Sequence, residues 1–265
     1  MTRAAGKLGA LPRDYDLTAL TFEHYLTSTK FGALPGAPLL TDRVSKVSRW
    51  PMYLNNQIGN CTAAAMLHSV AALTAFSGRV PGGAMFANAT AELIYEKTGG
   101  YVPGDPSTDN GATLQSVCRY MSTIGAKDNY GGQHKLAAWA NVGDPTNLSL
   151  LKKILNTFGT VYCAFNVDAA AETQFSAEQP WTPVPGSPNI GGHCIPLQLS
   201  AVGDPGYLYN ETFITWGAEQ KASRDWVRAQ ITEAVVLVSP DWLTAGGTTI
   251  EGLDLNALLA DMRYV

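Results

Sequence analysis

The spacing of apolar residues changes near residue 160, and this change restricts the fold more than any other feature of the sequence. Four earlier segments combine good helix formers with apolar residues at helical spacing: 61–76, 88–99, 112–125 and 148–159. Four later segments carry β-branched and aromatic residues between Pro- and Gly-rich turns: 160–167, 193–202, 207–216 and 234–239. The sequence therefore predicts an α+β protein with a mainly helical first half and a mainly β second half.

The chain has 265 residues, which is enough for one large domain with a sizeable core. Residues 1–50 contain several Pro and Gly and little periodicity, so we expect an irregular N-terminal arm. We assign residues 51–150 to the helical half and 151–240 to the β half of a single domain. Residues 241–265 form a C-terminal tail that is predicted to end in a short amphipathic helix.

Charge and hydropathy argue against two classes of partner. The chain carries 18 basic and 22 acidic side chains without a run of Lys or Arg, so nucleic acid is not an expected partner. No apolar run reaches the roughly 18 residues of a membrane span, and the start lacks the apolar stretch of a signal peptide. We therefore expect synthesis in the cytoplasm. Charged residues make up only 15% of the chain, which indicates a large core or surface buried against partners.

The cysteine pattern predicts free thiols and neither a metal nor another cofactor. The four cysteines are Cys61, Cys118, Cys163 and Cys194. They are too scattered for a zinc site or a dense disulfide framework. Asp105, Asp109 and Asn110 cluster in one turn but lack the ligand pattern of a calcium loop, so we interpret them as helix-capping residues.

Cys61 is the candidate nucleophile, because it follows a polar turn and begins a buried helical segment. A helix N-terminus and an imidazole would lower the pKa of its thiol, although a buried cysteine at the start of a core helix fits equally well. His68 would lie about 10.5 Å along the helix axis and cannot reach the sulfur. We interpret His24 and His134 as solvated or capping residues. His193 follows a glycine pair at the start of an apolar strand, so it is the predicted base.

The motifs around these two residues resemble those of papain-like cysteine peptidases. QIGNCTAAA, GGHC and ITWG are similar to the family's cysteine box, GGHA and NSWG, and the 132 positions from Cys61 to His193 fit the class. The resemblance covers roughly residues 51–240. It implies a helical half that carries the cysteine helix, packed on an antiparallel β half with a cleft between them. WPMYLNNQIGNCT and VLVSPDWL further resemble proteins encoded by tailed bacteriophages and prophages.

The resemblance also implies roles for residues around the pair. Asn55 stands at the position of the family's oxyanion-hole glutamine, and Gln57 is close to it but out of register. Ile214 replaces the asparagine that orients the histidine, and its side chain forms no hydrogen bond. Trp216 matches the family's tryptophan. It is two residues after Ile214 and is therefore expected on the same face of the strand, where it would shield His193. The groups that could orient the imidazole instead are the side chains of Asn210, Thr212 and Thr215 or a backbone carbonyl.

Three functions are compatible with these residues. The first is a cysteine hydrolase that cleaves a peptide or another amide through Cys61 and His193. The second is a weakly active or inactive papain-fold structural protein of a bacteriophage particle, with other virion or tail proteins as partners. The low charge, the long arm and Ile214 favour this alternative. The third is an acyltransferase or transglutaminase, which would use the same two residues.

Overall fold

Helix α1 (Cys61–Ser77) is the central element of the helical half. The computed structural model describes residues 3–14, 21–23, 44–199 and 211–242. Every α1 residue from Cys61 to Ala75 is buried, as expected for a helix that is apolar on nearly all faces. Helices α2 (Asn88–Gly99) and α3 (Leu114–Thr123) pack against α1 and against each other.

A six-stranded sheet forms the second half of the molecule. Its strands are β3 (Ala138–Asn141), β4 (Val161–Asp168), β5 (Asn189–Leu199), β6 (Glu211–Thr215), β7 (Ala218–Ala222) and β8 (Ile231–Val238). The strand order is β3-β8-β4-β5-β6-β7, and every neighbouring pair is antiparallel.

Shorter elements surround this sheet. They are the hairpin of β1 (Ala126–Lys127) and β2 (Gln133–His134), the helices α4 (Leu148–Phe158), α5 (Ala169–Ser176) and α6 (Arg224–Gln230), and the 3-10 turns Pro106–Thr108 and Pro240–Trp242. The three helices contact β4, so they cover the sheet near its centre. The capping side chains of Asn147, Asp168 and Ser223 begin these helices by accepting backbone N–H bonds.

The two halves meet where α1 packs against β5. One apolar cluster fills the β half around residues such as Phe165 and Trp181. The other lies in the helical half and extends across the boundary to Cys194 on β5. The Tyr162 hydroxyl on β4 also donates a 2.8 Å hydrogen bond to the Thr62 carbonyl. These contacts fix the start of α1 against the middle of the sheet.

The predicted fold class is confirmed, and the eight predicted helices and strands lie close to their observed positions. Strands β3 and β7 were not predicted, because they are short edge strands and β7 alternates exposed polar residues such as Glu219 and Lys221. Helices α5 and α6 have only eight and seven residues, too few for a clear period. The predicted tail helix lies outside the described residues.

The described ranges contain no helix that is long and apolar enough to cross a membrane. Among the same residues, no group of three or more His, Cys, Asp or Glu side chains could hold a metal ion. All four cysteines are buried free thiols.

Candidate active site

Cys61 lies at the N-terminus of α1 and is 1% exposed. The turn that precedes it is tightly constrained, since Tyr53 and Leu54 both adopt positive φ angles, of 52° and 65°. The Asn60 side chain fixes this turn by donating a 2.7 Å hydrogen bond to the Tyr53 carbonyl. The sulfur is therefore held among the unpaired backbone N–H groups of the first helical turn.

Strand β5 brings the backbone beside His193 to the same place. The backbone N–H of Cys194, the next residue, donates to the Cys61 sulfur over 3.4 Å. His193 is 1% exposed and follows Gly191, whose φ of 148° is accessible mainly to glycine. The tertiary structure thus brings the strand that carries His193 to the Cys61 sulfur, although the two residues are 132 positions apart. Among the described residues, no hydrogen bond joins the His193 ring to this sulfur.

The hydroxyl of Thr215 holds the imidazole of His193. Its Oγ1 atom lies 2.7 Å from His193 Nε2, and no other hydrogen bond to this ring occurs among the described residues. When the Thr215 Oγ1 atom accepts a hydrogen bond from Nε2–H, the lone pair of Nδ1 is left free. A nitrogen with a free lone pair is what a general base requires.

Trp216 stacks on the His193 ring, with centroids 4.6 Å apart and an interplanar angle of 26°. It does so from a different position than predicted. Strand β6 ends at Thr215, and Trp216 and Gly217, with φ angles of 47° and 70°, form a two-residue hairpin turn to β7. The expected alternation with Ile214 therefore does not apply, because Trp216 is a turn residue.

The other candidate orienting residues have different environments. Ile214 is fully buried and pairs with Glu219 of β7, so the adjacent Thr215 forms the contact to the histidine. The Thr212 hydroxyl is buried and has no hydrogen-bond partner in the part of the chain that the structure describes. Asn210 lies outside the described residues.

The two oxyanion-hole candidates also differ. Asn55 is 2% exposed, and its side-chain amide donates to the carbonyl oxygens of Lys7 at 3.0 Å and Ile58 at 3.3 Å. Gln57 is exposed at the surface of the turn. The Asn55 amide thus already binds a peptide carbonyl from the N-terminal arm.

Residues 3–13 of the arm, called the strap here, cross between the two halves. On the helical side, the Lys7 N–H donates to the Asn55 carbonyl over 2.6 Å. On the β side, the N–H groups of Gly9 and Ala10 both donate to the Gly192 carbonyl over 3.0 Å. The strap therefore covers the cleft directly beside His193.

A second contact of the strap is a parallel bridge to the segment before α3. The Ala112 N–H donates to the Gly9 carbonyl over 2.9 Å, and the Leu11 N–H donates to the Ala112 carbonyl over 3.0 Å. Gly9 passes so close to Gly59 that a Cβ atom at position 9 would collide with the Gly59 carbonyl. Only glycine fits the strap at this point.

Asp109 connects the strap to the turn before the nucleophile. Its Oδ1 atom accepts from the Gly59 N–H at 2.8 Å and the Tyr95 hydroxyl at 2.7 Å, and Oδ2 pairs with Lys7 Nζ at 3.0 Å. Burial opposes the charge of Asp109, but these three donors hold its pKa below the usual range. The predicted capping role is confirmed for Asp105, which accepts from the Ser107 N–H at the start of the turn Pro106–Thr108, and is wrong for the Asp109 side chain.

Burial controls the protonation of the catalytic candidates. It raises the pKa of Cys61 to about 12, although backbone N–H groups of Cys194, Gly9 and Thr62 oppose this rise. It also lowers the pKa of His193 to about 3. The expected lowering of the Cys61 pKa does not hold beneath the strap, and the pair is a neutral thiol and a neutral imidazole.

Two further histidines are buried. His68 contacts the Pro51 carbonyl through Nε2 at 2.8 Å, and burial lowers its pKa to about 4, so it is a core residue. The prediction that His134 is solvated or capping is wrong. His134 is 5% exposed, and its two ring nitrogens lie 3.1 Å and 3.0 Å from carboxylate oxygens of Asp128 and Asp241.

Comparison with solved structures identifies the fold. The first similar structure is xylellain, a cysteine protease from Xylella fastidiosa, with a TM-score of 0.61 and 13% identity over 90% of this chain and 98% of that one. Procathepsin B S9 from Trypanosoma congolense has a TM-score of 0.53 and 12% identity over 88% of this chain and 86% of that one. Procathepsin L 3 from Tenebrio molitor has a TM-score of 0.51 and 12% identity over 89% of this chain and 76% of that one. The protein has the papain-like cysteine protease fold.

No protein-family model and no curated protein matches the chain. The similar structures give no support to the predicted likeness to bacteriophage proteins. At these identities the likeness shows the fold alone.

Proposed function

We propose that the protein is a papain-like cysteine hydrolase that cleaves peptides or other amides, with Cys61 as nucleophile and His193 as base. One observation carries the proposal. Strand β5 hydrogen-bonds to the Cys61 sulfur through the residue after His193, while Thr215 holds Nε2 of the imidazole and leaves Nδ1 free. An imidazole that is oriented through Nε2 and free at Nδ1, on the strand that contacts the cysteine, supports this assignment.

In the proposed reaction, the Cys61 sulfur attacks the amide carbonyl carbon and the thiol proton passes to His193. The C–N bond breaks, the amine leaves with that proton, and a thioester remains on Cys61. Water then loses a proton to His193 and attacks the thioester, which releases a carboxylic acid and restores the thiol. The Cys61 N–H and the Asn55 amide would hold the oxyanion. If an amine replaces water, the same site is an acyltransferase.

The strap would keep this site inactive. The Gly9 N–H is among the backbone donors that act on the Cys61 sulfur, whereas attack requires a carbonyl carbon in that position. The strap also excludes water, and burial then disfavours both the thiolate and the imidazolium. Displacement of the strap would let solvent enter and favour the ion pair.

Substitution of Gly9 by valine tests the proposal in the full-length chain. The added side chain collides with the Gly59 carbonyl, so the strap should leave the cleft. We expect iodoacetamide to label Cys61 about a hundredfold faster, because the rate follows the population of the open state. The exposed Ala4 provides the matched control, and Ala4→Val should leave the rate unchanged.

The released variant should then hydrolyse members of a peptide library, and Cys61→Ser or His193→Ala should abolish the cleavage. Labelling that is equally slow in Gly9→Val and Ala4→Val would argue against a strap-covered reactive thiol and would favour a structural role such as the bacteriophage one. Fast labelling with product only when an amine acceptor is added would indicate an acyltransferase.

A further inference from the structure

Cys194 places a second thiol beside the candidate nucleophile. It follows His193 directly, where the papain-like GGHA motif has alanine, and its backbone N–H donates to the Cys61 sulfur over 3.4 Å. Both cysteines are 1% exposed, and both are free thiols. The proposed hydrolysis makes no use of the Cys194 thiol, so its presence at this point calls for a separate account.

The side chain of Cys194 faces α1. Side chains alternate along a strand, so Cys194 and His193 point to opposite faces of β5. Cys194 packs in the apolar cluster of the helical half, which also contains Cys61, whereas the next residue, Ile195, packs in the cluster of the β half. Its partner on β4 is the small residue Ala164. The Cys194 side chain therefore lies between the sheet and the start of α1.

The separation of the two cysteines fits a disulfide. Because the N–Cα bond is about 1.46 Å long, the Cys61 sulfur lies within about 5 Å of the Cys194 Cα. The Cys194 sulfur is two bonds from that Cα, and disulfide-bonded residues usually have Cα atoms about 4.4–6.8 Å apart. The hydrogen bond from Tyr162 to the Thr62 carbonyl holds this turn of α1 on the sheet. A bond between the sulfurs would therefore need side-chain rotation and no large backbone movement.

The other two cysteines have no comparable contact with the Cys61 sulfur. Cys163 on β4 packs in the cluster of the β half, on the opposite side of the sheet. Cys118 on α3 packs in the same cluster as Cys61, but no hydrogen bond joins these two residues in the part of the chain that the structure describes. Cys194 is the cysteine whose contact with the sulfur is direct.

The closed strap keeps both thiols unreactive. Burial raises the pKa of Cys61 to about 12 and holds the pKa of Cys194 well above its usual range. Oxidants react with the thiolate far faster than with the thiol. Displacement of the strap would admit solvent and oxidant to Cys61 in the cleft, whereas Cys194 stays beneath α1. Oxidation would therefore begin at Cys61.

We propose that Cys61 and Cys194 form a reversible disulfide when the open protein meets a hydroperoxide, and that this disulfide inactivates the nucleophile and protects it from further oxidation. The proposal rests on the reactive thiol of the proposed function and does not require that an amide is cleaved. A resolving thiol next to a reactive one is the arrangement that such a reaction needs.

The reaction has two steps. The Cys61 thiolate attacks one peroxide oxygen, the O–O bond breaks, and the leaving alkoxide or hydroxide takes up a proton, so that Cys61 becomes a sulfenic acid. The Cys194 sulfur then attacks the Cys61 sulfur, the S–O bond breaks, and water leaves with the Cys194 proton. The peroxide gains two electrons, and two thiols become one disulfide. A dithiol reductant reverses the reaction by thiol–disulfide exchange.

The first test uses the full-length Gly9→Val chain and hydrogen peroxide. After the remaining thiols are alkylated, mass spectrometry of the non-reduced digest should detect a peptide pair linked through Cys61 and Cys194. Cys194→Ala and Cys194→Ser should both abolish this pair, whereas the matched controls Cys118→Ala and Cys163→Ala should retain it. Absence of the pair, or a pair that joins Cys61 to Cys118 instead, would overturn the proposal.

Recovery by a reductant tests the protective effect. In the Gly9→Val chain, dithiothreitol should restore at least about nine-tenths of the iodoacetamide labelling of Cys61 that peroxide removes. With Cys194→Ala added, Cys61 has no resolving partner and oxidation continues to sulfinic and sulfonic acids, which dithiothreitol does not reduce. Recovery should then fall about tenfold. Equal recovery in the two proteins would contradict the protective role.

The same measurements separate this inference from the proposed function. A linked pair in a protein whose reduced form cleaves peptides would support both. A linked pair in a protein that neither cleaves peptides nor transfers acyl groups would retain the disulfide and overturn the hydrolase. Peptide cleavage that peroxide abolishes without any linked pair would retain the hydrolase and overturn the disulfide.

Discussion

The pKa values of two buried histidines of this protein are shifted in opposite directions. His193 is 1% exposed and contacts only the neutral hydroxyl of Thr215 among the described hydrogen-bond partners, so burial lowers its pKa to about 3. His134 is 5% exposed and lies between the carboxylates of Asp128 and Asp241. Burial lowers its pKa too, but the two carboxylates outweigh that effect and raise it.

The groups that surround each histidine determine the direction in which its pKa is shifted. Burial alone favours the neutral ring in both places, and a carboxylate at hydrogen-bond distance reverses the preference. His134, whose pKa is raised, joins β2 to the 3-10 turn Pro240–Trp242 through Asp241, which is a structural task. The neutral His193 retains an unpaired Nδ1 and can accept a proton, as proposed for the base.

The largest effect is expected when one of the two carboxylates beside His134 is removed. Asp241→Asn removes one of the two carboxylates and leaves the His134 imidazolium buried with a single counter-charge. The free energy of unfolding, measured in urea at about pH 6, should fall by about 3 kcal/mol. Asp225→Asn on the exposed side of α6 should lower it by less than about 1 kcal/mol. Equal losses in the two variants would mean that the buried cluster contributes no special stability.

The second prediction concerns a carboxylate introduced beside His193, which would then resemble the surroundings of His134. Thr215→Asp would place a carboxylate where the hydroxyl now meets His193 Nε2. The pKa of His193, followed by NMR of the ring protons, should rise by roughly one to three pH units. Thr215→Asn adds an amide without charge and should leave the pKa low. A similar rise in both variants would show that water entry, not charge, controls the imidazole.

The smallest expected effect is the pH dependence of stability that His134 confers. Because its folded-state pKa is raised above 6.5, its contribution is fully present below that value and is lost as the pH rises through the folded pKa. Denaturant midpoints should therefore decrease on going from about pH 6 to alkaline pH. His134→Gln should flatten this trend, and a slope that persists unchanged in that variant would assign it to another group.

Recognition of the site from the sequence depended on local signals. A polar turn followed by a buried helical segment made Cys61 the candidate nucleophile, and a glycine pair before an apolar strand made His193 the candidate base. The alternation of residues along a strand predicted Trp216 on a strand face. This is wrong because β6 ends at Thr215 and a two-residue turn follows, which the local sequence does not indicate. Thr215 was one of three polar candidates for the contact to His193, with nothing in the sequence to distinguish it.

The prediction that His134 is solvated or capping is wrong for a related reason. The GGQHK segment reads locally as a solvated turn, and the Asp241 carboxylate that buries and charges the histidine lies 107 positions away. Similarly, the composition of residues 1–50 predicted an irregular arm but contained no information on where the arm lies. Its glycines fit the cleft only because Gly59 and Gly192 approach from the two halves.

By itself, the sequence determined the α+β class, the order of helices and strands and the local setting of Cys61 and His193, since these depend on neighbours within a few residues. Only the tertiary structure decided that Thr215 orients the imidazole, that the strap fills the cleft, and that the pKa is lowered for one buried histidine and raised for another. Each of these depends on contacts across long sequence distances, where burial and the nearest charge set the protonation state.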